Sequence, residues 1–143
     1  MITIHVDHGK SSDSKAIIRQ WMDDSSQTLA NYDIAGHLAL ISKQVRINGV
    51  PKLGSIDYKG WAAQVEHEFT NKVIKSVAFH GDHIRAENSG EIMFVTREVI
   101  TATDGKVINN NLEVMLKKEE DGVWRVIQER FMEKSEAQHF GLS

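Results

Sequence analysis

The order of hydrophobic patterns along the chain predicts an α+β fold, with helices first and a curved antiparallel sheet after them. Two observations carry this. Apolar residues recur at helical spacing as far as Phe69, and from Val73 onward they alternate with a period of two. The breaks in the second half are turn chemistry, Asn88-Ser89-Gly90, Asp104-Gly105 and Asp121-Gly122. Short turns of this kind join consecutive strands as hairpins, so the strands should form an antiparallel meander.

Ile2, Ile4 and Val6 alternate and read as a short strand-like piece before a polar loop. Ser12, Asp13 or Ser14 can then cap a helix whose apolar face is Ile17, Ile18, Trp21, Met22 and Leu29. Tyr32-Asp33 opens a second, short helix with Ile34, Leu38 and Ile41 on one side. Residues 43–48 alternate as a strand, and 49–54 form a loop containing Pro51, the one proline of the chain. Tyr58, Trp61, Ala62, Val65 and Phe69 define a third amphipathic helix. Four strands follow over 73–87, 91–103, 106–119 and 123–133, and the polar tail 135–143 reads as loose. No repeat, low-complexity segment or linker divides the chain, so one domain with a core over about 13–133 is expected.

The bulk numbers narrow the function classes. With 143 residues, 41% hydrophobic and 26% charged, the chain can bury one core without staples. The net charge is −3 and the 17 Lys and Arg are scattered, which argues against a nucleic-acid partner. No apolar run could span a bilayer, and no basic-then-apolar leader is present. The absence of cysteine removes disulfides, thiolate metal sites and a cysteine nucleophile, and is compatible with a cytoplasmic location. No cofactor motif is found, and no cofactor or metal is expected.

Three stretches resemble the nuclear transport factor 2-like (SnoaL-like) superfamily. They are residues 31–41, where Asn31-Tyr32-Asp33-Ile34 passes the first helix to the second; Gly54 to Trp61; and Asp121-Gly122-Val123-Trp124-Arg125-Val126. The resemblance covers 13–133 and implies a cone-shaped α+β barrel with a hydrophobic pocket between the helices and the concave sheet face. It does not imply one activity, because the superfamily contains isomerases, dehydratases, cyclases, epoxide hydrolases and non-catalytic modules. Steroid isomerases of this group use a base that aligns with Gly49 and a tyrosine that aligns with Ser25, so two of three elements are missing. Their late-strand acid aligns with Glu113. Dehydratases carry a Tyr-Asp pair, as Tyr32-Asp33 does, and sheet histidines. Here the expected histidine falls on Ala78, while the chain offers His80 and His83. A bulge at Gly81 would correct that offset, since a one-residue slip turns a strand side chain to the other face. The Asp-Arg-Asp set of the epoxide hydrolases is absent. The kinase association domains place a basic residue at the Glu113 position, so an acid there implies neutral or cationic ligands.

The catalytic candidates are therefore Tyr32, Asp33, His80 and Glu113, and the candidate pocket residues are Trp61, Glu98, Asn109 and Asn111. Each admits a plainer reading. Trp61 sits at core spacing, and Asp33 is a favoured helix cap. His80 and His83 should point to opposite faces of a regular strand, which argues against a metal site. Asn109, Asn111 and Glu113 share a face and would form a polar row inside the cone, opposite Ile108, Asn110, Leu112, Val114 and Leu116. The register of the last strand, which holds Arg125, Glu129 and Arg130, is left open. Met93, Val95 and Val99 alternate with Ile92, Phe94 and Ile100, so the strand is apolar on both faces. A two-fold homodimer through the outer face would cover the second face. The expected function is small-molecule binding, with a lyase- or isomerase-type enzyme and a non-catalytic assembly domain as alternatives.

Overall fold

The structure, a computed structural model, describes residues 2–141, with side chains from residue 13 onward. The element order is α1 (Ile2–Ala30), α2 (Ile34–Leu38), β1 (Ile41–Val50), β2 (Gly54–Asp57), α3 (Tyr58–Thr70), β3 (Ile74–Glu87), β4 (Glu91–Ala102), β5 (Val107–Lys118), β6 (Trp124–Phe131) and α4 (Lys134–His139). Three expectations change. The N-terminal piece is part of α1 and not a strand, so the helix does not begin at Ser12–Ser14. The loop after β1 contains the short strand β2. The tail folds as α4, closed by a reciprocal capping box between Glu133 and Glu136.

The α1 helix buries Ser14, Ile18, Trp21, Ser25 and Leu29, a stripe at helical spacing. It ends with Tyr32 in the left-handed region (φ 52°), where Tyr32 N–H donates to Leu29 O and Asp33 N–H to Thr28 O. The α3 helix ends the same way at Lys72 (φ 53°), with bonds to Phe69 O and Glu68 O. Both ends satisfy helix carbonyls that would otherwise be unpaired. The two terminating residues meet, with Lys72 Nζ 5.2 Å from the Tyr32 ring centre.

The sheet has the order β2-β1-β6-β5-β4-β3. The meander β3–β6 is antiparallel as expected, but β1 pairs with β6 in parallel, so the sheet is mixed. β2 and β3 are its edges, and it does not close into a barrel. The concave face carries the even-numbered residues of β4 and β5: Ile92, Phe94, Leu112, Val114 and Leu116 are sealed in the core with Ile18, Trp21, Val45 and Val126. A second cluster, Leu29, Val65, Phe69 and Val77, joins α1, α3 and β3.

Bulges decide which residues face inward elsewhere. His80 pairs with Arg97 but His83 with Val95, so β3 carries an extra residue around Gly81, whose φ is 95°. Met115 pairs with Gln128 and Leu116 with Val126, so β6 carries an extra residue at Ile127. Without that bulge Val126, Gln128 and Arg130 would share the concave side. With it, Glu129 and Phe131 turn inward after Val126.

The convex face is partly covered by α4. Ala137 and Phe140 pack on Val95 and Met132, and Met132 N–H donates to Asn111 O. The apolar outer side of β4 thus has an intramolecular cover that the sequence reading did not supply. Among the described residues no helix is long and apolar enough to cross a membrane.

Candidate functional site

Between the helices and the concave face lies a cavity of about 190 Å³. Its apolar wall includes Leu29, Ile47, Trp61, Phe69, Ile100 and Phe131, and its polar groups are Ser25, His37, Gln64, Glu68, Glu98, Asn110 and Glu129. Among the described residues no lysine or arginine lines it.

His37 is placed by the helix hand-over. Asp33 caps α2 by accepting from Gly36 N–H at 2.9 Å, and a Cβ on Gly36 would lie 2.2 Å from Asp33 Oδ2. The imidazole stacks on Trp61 (5.9 Å between centres) and tilts against Phe69 (5.0 Å). Its Nδ1 is 2.7 Å from Thr28 Oγ1, and that hydroxyl donates to Asp24 O at 2.7 Å. A hydroxyl has one proton, so Thr28 must accept from His37, which assigns the ring proton to Nδ1. Nε2 then carries the lone pair. Burial holds the imidazole down at about 4, against the upward pull of the Asp33 carboxylate and the Ser25 carbonyl.

The sheet supplies the carboxyl groups. Glu98 on β4 is paired with Asn110 on β5, whose Nδ2 donates to Glu98 Oε1 at 3.1 Å. Burial raises the Glu98 pKa; the Asn110 bond opposes this and the Glu68 charge adds to it. Glu129 on β6 lies between Val114 and Ile47 on the neighbouring strands and, among the described residues, has no hydrogen-bond donor. Burial, and then the charge of Glu98, push Glu129 up to about 8. Glu68 on α3 is also raised by burial, eased by its bond to Gln64 and by His67. At neutral pH the cavity therefore holds an uncharged imidazole and a protonated carboxyl.

The sequence-derived candidates divide sharply. Trp61 and Glu98 line the cavity. Tyr32 packs edge-on against Phe69 outside it, and exposed Asp33 serves as the cap of α2. The inward polar row is corrected: Asn110 faces the cavity, whereas Asn109, Asn111 and Glu113 occupy the alternate positions on the convex side. There Glu113 pairs with Arg85 and, at 3.4 Å, with Arg130, which reaches Glu136 at 2.9 Å. Glu113 anchors α4 and cannot select ligands in the cavity. The Gly81 bulge exists, but it turns both His80 and His83 outward, and His83 meets Phe140 at 5.9 Å. Among the described residues no group of three or more His, Asp or Glu is placed to hold a metal ion.

His37 lies inside the helix hand-over stretch 31–41 and belongs to no catalytic motif of the sequence. The signal that could have found it is its position one turn after a capping Asp, with Trp61 and Phe69 ahead at core spacing. Glu129 had no such signal, because the bulge at Ile127 leaves no mark in the sequence.

No family model matches the chain, and no curated protein does either. Solved structures do match. A scytalone dehydratase-like protein of Novosphingobium aromaticivorans superposes with a TM-score of 0.70 at 13% identity, covering 87% of this chain and 86% of that one. ActVI-ORFA of Streptomyces coelicolor gives 0.65 at 16% identity, covering 85% and 97%. A nuclear transport factor 2-like protein of Shewanella oneidensis gives 0.69 at 12% identity, covering 83% and 98%. The chain has the nuclear transport factor 2-like, or SnoaL-like, fold. At these identities the likeness speaks of fold and not of chemistry.

Proposed function

We propose that the chain is a small-molecule-binding domain whose ligand occupies the cavity between α1–α3 and the concave sheet face. Its ligand groups are His37, Glu98, Asn110 and Glu129, with Trp61 and Phe69 as walls. The observation that supports this is the unspent polarity of the cavity: Glu129 accepts no hydrogen bond from the described residues, although it lies in a void with largely apolar walls. Buried polar groups are normally satisfied, and an open one facing a void is a group waiting for a ligand. An assembly module would more naturally fill such a cone with its own side chains. Fragment screening by NMR tests the reading. Hits should move the Trp61 indole and the amides of Glu98 and Glu129, and His37→Ala should weaken them at least tenfold. Hits that move only convex-face residues, or no hits at all, would sink it.

A second reading, a lyase- or isomerase-type enzyme, draws on a specific observation. His37 is pushed toward its base form and Glu129 toward its acid form within one cavity. Such a divergence marks acid–base partners. The expected profile on a reacting substrate is a bell with limbs near about 4 and 8. Glu129→Gln should remove the alkaline limb; a limb that persists in that variant overturns the assignment.

The homodimer stays a proposal on reduced ground, because α4 covers Val95 while Met93, Val99 and Met115 remain half-buried in the single chain. Sedimentation at micromolar concentration should give twice the 16.1 kDa chain mass; a monomer removes the proposal.

A further inference from the structure

From the makeup of the cavity wall we infer that the ligand carries a positively charged nitrogen: the cavity is an ammonium site, built from the carboxyl groups of Glu68, Glu98 and Glu129 and the rings of Trp61, Phe69 and Phe131. The inference rests on the small-molecule reading above and names the ligand class.

Three observations converge. The carboxyl groups come from three separate elements, α3, β4 and β6, and all line one void. No lysine or arginine among the described residues balances them there, although the protein pairs acids elsewhere: Glu113 has Arg85 and Arg130, and Asp82 has Lys15 and Arg19. Glu129 is half-buried, faces the void and has no hydrogen-bond or ion-pair partner among the described residues. The apolar walls include the rings of Trp61, Phe69 and Phe131 among aliphatic side chains, and aromatic rings attract a cation through their quadrupoles. An anion would find no lysine or arginine among the described residues to pair with there.

The groups facing the carboxyl pair can be named from every side. Asn110 faces Glu98 from β5, Glu68 from α3, and His37 lines the same void from α2; β1 offers Ile47, and α1 offers Ser25. None of these is a cation at neutral pH. His37 Nε2, unprotonated in that tautomer, is the ring acceptor for one ammonium N–H, and the carboxylates accept the others. Binding therefore requires the glutamate pair to give up its proton, since an ammonium favours the charged form of each acid. At about 190 Å³ the void suits a small amine and not a drug-sized molecule.

The test uses benzylamine, benzyl alcohol and benzoate as matched probes on the intact protein, by calorimetry in two buffers of different ionisation enthalpy. Benzylammonium should bind most tightly, should release about one proton, and should tighten by about tenfold as pH rises from about 6.5 to 8.5. Benzoate should not bind. Glu129→Gln should weaken the amine by at least tenfold and leave the alcohol unchanged, which also shows that the variant is folded. If the alcohol binds in the cavity as well as the amine, or binds without proton release where the amine fails, the ammonium inference is overturned and the small-molecule reading stands. If none of the probes moves a cavity resonance, both fall.

Discussion

A proton taken from Glu129 leaves a charge in a void that no lysine or arginine among the described residues borders, and the cost appears as pH-dependent stability. An acid whose folded pKa is raised binds its proton more tightly folded than unfolded. Its contribution is full below the unfolded pKa, near 4.5, and is lost as pH rises toward about 8. His37 acts in the opposite sense: its folded value is depressed from 6.5 to about 4, so its contribution is present above 6.5 and lost as pH falls toward 4. The two windows overlap below 6.5 and separate above it. Between about pH 6.5 and 8 the ligand-free protein should lose on the order of 2 kcal/mol, at about 1.4 kcal/mol per unit. Thermal melts across that range check this. Glu129→Gln should flatten the slope, and a slope that survives the substitution rejects the assignment to Glu129.

At the scale of the element, α2 is a positioning device of five residues that owes its geometry to one cap. Gly36→Ala drives a Cβ into the Asp33 carboxylate and should cost about 1–2 kcal/mol through the lost cap. Because His37 follows immediately, fragment binding should fall with it, which paired melting and binding measurements would show. On the other side of the sheet, Glu113→Ala should release α4. Faster hydrogen exchange over 134–140 and a loss of about 1–2 kcal/mol are expected, with cavity binding unchanged. Helices α1 and α3 and the meander were legible because their apolar periods and turn dipeptides are local signals. The parallel seam between β1 and β6 was not, since parallel partners are joined by no turn. The cavity was half legible. Glu98 was a candidate, but its strand is apolar on both faces, so alternation could not choose its side; the inward turn of Glu98, Asn110 and Glu129 and the outward turn of His80 depend on cross-strand pairing and on the bulges in β3 and β6. The Glu113 alignment failed for the same reason: one step along β5 exchanges the ligand face for the face under α4.

Across the whole molecule, the cavity depends on an open sheet whose edge strands differ. β3 is broken by register shifts near residues 75, 82 and 85, and such bulges hinder edge-to-edge association. β2 is protected by being four residues long. Gly49 (φ 70°) bends β1 where a Cβ would lie 2.8 Å from Phe131 O. Gly49→Ala should therefore destabilise the protein by about 1–3 kcal/mol, measurable by denaturant titration, and an unchanged midpoint would count against the close approach.

The seam between β1 and β6 also sets a time order. β1 lies early in the chain, but its parallel partner is the last strand, and β6 also joins β1 to the meander. A polypeptide emerging from the ribosome can form α1, α3 and the β3–β5 hairpins well before then, yet the cavity floor is missing until residues 124–131 arrive. Glu129 is among those residues. The ligand site is thus completed by the same stretch that joins the two parts of the sheet, and a nascent chain gains its fold and its binding capacity at one late moment.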